Sequence, residues 1–253
     1  MRSPSLLTLS ILFFAIADLW LAFPEIDLAV AGLFSTPGVG FSARGSAWEQ
    51  FMYGSIDELL VIVGLGLIGA WAIGRWRYPA RQPKPLYKSL YKSLYKSLYK
   101  SLYKSLYQRV TGRRLSFLLL LLALVPGLIV NQILKEHWGR ARPIQVEQFG
   151  GNRLFTPPFV ISNQRGGSFS SGHVAAAAWL VAVAVALSGL GSAWSLLALL
   201  YLLAMVLARV AAGAHFLSDA LTSILLVWMG YLVLQRLLHL DESAVVSEGR
   251  ETA

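Results

Sequence analysis

The sequence predicts an all-α integral membrane protein, a bundle of six transmembrane helices. Three observations carry that expectation. Hydrophobic residues fill 56% of the 253 positions and charged residues only 14%, against about 25% charged in an ordinary soluble domain, and the mean hydropathy is +0.58. Six stretches come near the roughly 20 apolar residues that a helix needs to cross a bilayer. Lys and Arg gather on alternate loops, the pattern that orients membrane proteins with their basic loops inside.

The spans fall near 5–23, 57–75, 115–134, 173–190, 194–213 and 217–238. The first follows Arg2, and Ala29-Val30-Ala31 imitates a signal-peptide cleavage site. The run is too long for a signal peptide, and Pro24-Glu25-Ile26-Asp27 stands between it and that site, so it reads as a retained helix. Asp18 lies within it with no obvious partner. Between the second and third spans lie Arg75, Arg77, Arg81, six of the seven lysines, Arg109, Arg113 and Arg114. This basic loop, 76–114, is expected on the cytoplasmic side together with Arg2, Arg236 and the short tail 239–253. The whole chain, 1–253, is expected to form one membrane domain with both termini inside. Lys135, Arg140, Arg142, Arg153 and Arg165 break the charge rule by following the third span, on the outer side. Cations placed against the bias suggest a task.

The net charge of +9 is local, because the lysines cluster between Lys84 and Lys104. Beside transmembrane helices such a segment faces anionic lipid headgroups, not nucleic acid. Lys84-Pro85-Leu86-Tyr87 is followed by five copies of Lys-Ser-Leu-Tyr, ending at Tyr107. On an α-helix each copy advances the Leu/Tyr stripe by about 40°, so no single face stays buried. The segment is either a basic, aromatic strip on inner-leaflet lipid across 84–114 or a slipped duplication tolerated in a loop. Cysteine is absent, which excludes disulfides, thiol chemistry and thiolate metal sites.

Three polar clusters sit where apolar segments meet loops. Lys135 and Arg142 are seven residues apart, which on a helix puts both on one face, with Pro143 ending the helix. Such fixed cations stabilise the negative charge on the equatorial oxygens of a transferring phosphoryl group. Ser170-Ser171-Gly172-His173 then opens an Ala-rich run. Serine caps helices, free N–H groups at a helix start favour anions, and glycine lets a ligand approach the backbone. His173 is placed to protonate a leaving oxygen. Finally, His215 and Asp219 are four apart, on one helical face. An Asp that accepts the Nδ1–H of an imidazole fixes its tautomer and frees Nε2 to attack. Arg209 reaches the same place if the chain breaks at Gly213.

These residues resemble the type 2 phosphatidic acid phosphatase (PAP2) superfamily, whose signatures are Lys-x6-Arg-Pro, Pro-Ser-Gly-His and Ser-Arg-x5-His-x3-Asp. The chain reads Lys135-x6-Arg142-Pro143, Ser170-Ser171-Gly172-His173 and Ala208-Arg209-x5-His215-x3-Asp219. Ser170 stands for the proline and Ala208 for the first serine; neither change removes a reacting group. The resemblance implies a six-helix bundle and metal-independent hydrolysis of a phosphomonoester or diphosphate through a phosphohistidine, with no cofactor. It implies His215 as nucleophile, Asp219 as its orienter and His173 as acid. Lys135, Arg142, Arg209, Ser171 and the Gly172 N–H would hold the phosphate. The loop from Phe149 to Ser170 is similar to that of bacterial lipid A phosphatases, which implies a glycolipid substrate reached from the periplasmic face of the inner membrane. Undecaprenyl diphosphate, phosphatidylglycerophosphate, phosphatidate and phosphotransfer to another lipid stay open. A non-catalytic lipid-binding protein and a vanadate-dependent haloperoxidase are weaker readings, since every reacting residue is present and the spans are apolar.

Overall fold

The computed structural model describes residues 6–77, 109–238 and 240, and these are mostly helical. The Lys-Ser-Leu-Tyr repeats and nearly all of the tail 239–253 lie outside the described residues. Helix α1 (Leu6–Ala22) is followed after Pro24 by a short α2 (Glu25–Gly32), which turns through 83°. A two-residue antiparallel hairpin, β1 (Ser35–Thr36) and β2 (Gly40–Phe41), leads to α3 (Ala47–Arg77). Next come α4 (Gly112–His137), a long loop, α5 (Gly172–Ser188), α6 (Ala193–Ala211) and α7 (Leu217–Leu237).

Helix α3 starts ten residues earlier than the expected span, with Ser46 capping its first turn and Glu49 bracing the residue before the cap. The Ser46 hydroxyl accepts the Glu49 N–H at 3.1 Å, and Glu49 reaches back to the Gly45 N–H at 2.7 Å. The serine cap satisfies a donor that a helix start would otherwise leave open. Four helices, α3, α4, α6 and α7, are long and apolar enough to cross a membrane, and the bent pair α1–α2 makes a fifth if it counts as one span. Helix α5 is apolar but has only 17 residues.

Helix α5 is the centre of the bundle. Alanine and valine give it no polar face, and Val174 to Val183 are buried all round, as expected of a helix enclosed by others. Its small side chains let α4, α6 and α7 pack closely against it, a device common among membrane helices. Trp179 Nε1 ties it to the Leu118 carbonyl of α4 at 2.8 Å. Through Ala123–Leu134 α4 is wound as a π-helix around Pro126. A proline removes an N–H from the ladder and widens it locally, and such segments recur at functional sites.

A second, smaller apolar cluster of Ala31, Phe41, Ala141, Val146 and Phe216 caps one end of the bundle. There the Ala43 N–H bonds to Ala211 O and the Ile144 N–H to Gly213 O. The turn after α1, the hairpin, the 138–171 loop and the α6–α7 turn are thereby gathered at one end. At the opposite end Arg109 Nη1 donates to Leu187 O at 2.9 Å.

Candidate active site

Lys135 lies in the last turn of α4, which stops at His137. Gly139 has φ +70°, and a side chain there would run into the carbonyls of Ser162 and Gln164. The helix therefore does not continue to Pro143, and Lys135 and Arg142 do not share a helical face as their spacing suggested. The chain instead leaves in extended form, with Arg142 at φ −78°, ψ 156°. Pro143 opens a single 3-10 turn, the position its fixed φ suits, and Gln145 Oε1 accepts the Arg142 N–H at 3.0 Å.

The second cluster enters α5. Ser171 occupies the cap position, yet its hydroxyl makes no capping bond. The Oγ atoms of Ser170 and Ser171 are both buried without a hydrogen-bond partner. Gly172 is needed for close approach: a Cβ there would strike the side-chain amide of Asn131, which itself donates to the Pro126 carbonyl at 2.9 Å. The π-helical stretch of α4 thus sets the seat of the Gly172 backbone. His173 is half-buried, with the Tyr53 ring of α3 lying 4.6 Å from its own.

The third cluster straddles the α6–α7 turn. Arg209 lies in the last turn of α6, and its carbonyl accepts the N–H groups of Ala214 and His215 at 3.0 and 3.3 Å. The chain breaks at Gly213, as expected, and His215 lands two residues before α7. Its Nδ1 lies 2.7 Å from the Ser168 carbonyl oxygen and 3.7 Å from Asp219 Oδ2. The hydrogen bond therefore goes to Ser168, because 3.7 Å is too long for one. Asp219 Oδ2 is already taken by the Ser168 hydroxyl at 2.6 Å and the Phe216 N–H at 2.9 Å. Burial pushes the His215 imidazole below its ordinary pKa, with the Asp219 carboxylate pulling the other way.

All eight residues that the motifs single out meet at one end of the bundle. Lys135, Arg142 and Arg209 interact electrostatically with one another and with His173, and both arginines also act on His215. The Ser171 N–H faces the Asp219 carbonyl at 3.5 Å. Arg209 is 4% exposed, and its Nε and Nη1 have no hydrogen-bond partner; its nearest carboxylate oxygen, Glu49 Oε1, is 3.7 Å from Nη1. Buried donors left without acceptors cost about 1–3 kcal/mol each, more when charged, and an anion held between them would satisfy them. A groove of about 440 Å³ leads from Lys135, Gly172 and His173 between α3 and the π-helical stretch of α4, past Tyr53, Asp57 and Leu60. No group of three or more metal-binding side chains occurs among the described residues.

The motifs did not reveal Glu49, Tyr53, Asp27, Arg140 or Ser168 as parts of this site. Tyr53 stacks near His173 while the Arg209 guanidinium sits over it at 5.1 Å. The Ser46-x-x-Glu49 pattern, a helix-start signature, was the signal that would have brought α3 to the site. Arg140 is wholly buried between two carboxylates, and its position among outer-side cations was the hint. Asp18, by contrast, is exposed.

The chain is thus a mostly helical bundle with several helices apolar enough to cross a membrane and with cations and two histidines gathered at one end. Residues 116–241 match the PAP2 superfamily, and through this segment the chain belongs to that superfamily. It is 33% identical to a lipid A 4'-phosphatase of Francisella tularensis subsp. novicida, over 50% of this chain and 59% of that one. It is also 39% identical to a lipid A 4'-phosphatase of Rhizobium leguminosarum (47% and 51%) and 38% identical to one of Rhizobium etli (52% and 51%). The chain thus spans between half and three-fifths of the length of these curated relatives. No solved structure matches it.

Proposed function

We propose that the chain is a metal-independent lipid phosphatase that works through a phosphohistidine on His215. The observation that carries this is the set of buried donors without acceptors, Arg209 Nε and Nη1 with the Ser171 hydroxyl, gathered around two imidazoles. The phosphate would lie on Arg209, Arg142 and Lys135, with the Ser171 hydroxyl and the N–H of Gly172 at the start of α5, where helix geometry favours anions. The Nε2 lone pair of His215 attacks phosphorus, the P–O bond to the lipid breaks, and His173 gives its proton to the leaving oxygen. Water then attacks phosphorus, losing a proton to His173, while the P–N bond breaks, releasing phosphate and restoring the His215 Nε2 lone pair. Fixed cations stabilise the equatorial oxygens throughout. Asp219 contributes its charge as the ring becomes cationic. The lipid portion would run down the groove beside Tyr53 and Leu60.

Lipid A is the substrate we favour, since the relatives named above carry that activity in their names. In this reading the chain crosses the inner membrane six times, with α5 as a short buried crossing, both termini cytoplasmic and the site at the periplasmic face. The test is phosphate release by purified protein in detergent from lipid A, undecaprenyl diphosphate, phosphatidylglycerophosphate and phosphatidate, each beside His215→Ala. Release from lipid A that is lost in the variant, and that resists EDTA, is the expected result. Release from another lipid would move the substrate, and full activity in His215→Ala would remove the nucleophile. Transfer of the group to an added lipid, with none to water, would make the chain a phosphotransferase.

A further inference from the structure

The chemistry proposed for His215 leaves a buried ion network without a task. Arg140 is 0% exposed. Its Nη2 donates to Asp27 Oδ2 at 2.7 Å, its Nη1 to Asp219 Oδ1 at 2.5 Å and Ser218 Oγ at 2.9 Å, and its Nε to the Thr156 carbonyl at 2.9 Å. The Phe216 ring lies 4.4 Å from the guanidinium. Asp27, on α2, is 0% exposed as well. It accepts Trp20 Nε1 and the Ser218 N–H at 3.0 Å each, and the Ser218 hydroxyl at 2.5 Å. Three charges withdrawn from water cost several kcal/mol per ion before pairing, and apolar packing would close the same gap at no such cost. Rigid placement of a nearby group is what such a network supplies.

That group is Ser168. With Asp219 Oδ1 held by Arg140, Oδ2 faces the Ser168 hydroxyl at 2.6 Å, and the carbonyl of the same residue faces His215 Nδ1 at 2.7 Å. The contact that sets the nucleophile's ring therefore runs from Asp27 through Arg140 and Asp219 to Ser168. A carbonyl can only accept, so it demands the proton on Nδ1 and leaves the Nε2 lone pair free. We infer that Ser168, Arg140 and Asp27 are positioning residues for the nucleophile, with α2 folded back on the bundle to deliver the Asp27 carboxylate. This rests on His215 being the nucleophile.

The test uses the full chain in detergent, with Asp27→Asn and Ser168→Ala beside wild type. Each protein is read by thermal unfolding, by kcat and KM for phosphate release from lipid A, and by the ¹⁵N spectrum of labelled histidine, with the His215 signals assigned from His215→Ala. Wild type is expected to show one His215 tautomer, protonated at Nδ1. Both variants are expected to show mixed tautomers, KM within about twofold and kcat lowered about 10- to 100-fold, by analogy with the loss when the outer hydrogen-bond partner of a metal-binding histidine is removed. A folded Asp27→Asn protein with an unchanged tautomer and unchanged kcat would overturn the inference, as would a loss confined to KM. If Asp27→Asn does not fold, Ser168→Ala decides, since it deletes one hydroxyl and keeps the carbonyl. A failure of the phosphatase reading looks different: wild type releases no phosphate, while the His215 tautomer still responds to Asp27→Asn.

Discussion

A histidine that attacks phosphorus must arrive unprotonated, and His215, the nucleophile proposed above, is placed so that it would. It is 2% exposed, and burial holds its pKa below the ordinary value of about 6.5 despite the opposing pull of Asp219. The imidazole therefore stays neutral at pH values where an exposed histidine is already half protonated. The expected acid limb of kcat/KM for phosphate release lies below about pH 6.5, and a limb above that value would contradict the assignment. Stability should follow the same sign. Unfolded chains take up a proton at His215 below about pH 6.5 while the folded protein does not, so this contribution is lost as pH falls through that window. Gly172 gives a second test at this scale. The Cβ of Gly172→Ala would collide with the Asn131 amide, shifting the N–H groups that face the phosphate. Activity should fall at least about tenfold, as when a single oxyanion donor is displaced. Removing the obstacle in Gly172→Ala/Asn131→Ala should recover part of it, which a double-mutant cycle measures. Simple additivity of the two losses would count against the clash.

Among the elements, α3 contributes what no motif announced. Glu49 and Tyr53, one turn apart, sit against Arg209 and His173. A cation over an aromatic ring is worth about 0.5–2 kcal/mol, so Tyr53→Ala should lower kcat/KM between about twofold and thirtyfold, and Tyr53→Phe, which keeps the ring, should leave it nearly unchanged. Equal losses in both variants would point to the hydroxyl instead. This helix also shows where the sequence was hard to read. Hydropathy placed its start near 57 because Glu49 and Gln50 dilute the apolar signal before it, whereas the Ser46 cap starts it at Ala47. The ends of α5, α6 and α7 were legible because Ser-Gly, Gly213 and long apolar runs mark them locally. The identity of the motif residues was legible for the same reason: each chemical group is a residue type at a fixed spacing. Their geometry was not. The break at Gly139 and the acceptor for His215 Nδ1 depend on the 138–171 loop, where Ser162, Gln164 and Ser168 return to meet residues distant in the chain. No local periodicity encodes such meetings, and Asp27 reaches Arg140 across more than a hundred positions.

For the whole molecule, the two ends of the bundle differ in kind. One gathers the hairpin, the 138–171 loop and the α6–α7 turn around the candidate site; the other brings Arg109 to the end of α5. Among the described residues, Arg75, at the end of α3, and Arg113 and Arg114, at the start of α4, belong to this second end, the one that the orientation proposed above puts in the cytoplasm. The cations at the first end, Lys135, Arg140, Arg142, Arg153 and Arg165, oppose that rule. Arg140 is buried in ion pairs, and Lys135 and Arg142 lie at the candidate site, so the proposed function would account for these three exceptions. The chain contains no cysteine, which makes the orientation measurable without a background. Val39, in the hairpin, is 85% exposed, and Leu190, between α5 and α6, is 57% exposed. In intact spheroplasts a membrane-impermeant maleimide should label Val39→Cys and spare Leu190→Cys until the membrane is opened. The reverse pattern would invert the protein and put the site in the cytoplasm. Labelling of both from outside would mean that α5, with its 17 residues, does not complete a crossing, so that five spans would remain and the two termini would lie on opposite sides of the membrane. Because α5 carries Gly172 and His173 at its first turn, that outcome would also change how a lipid phosphate reaches them: along the membrane surface, not down the groove between α3 and α4.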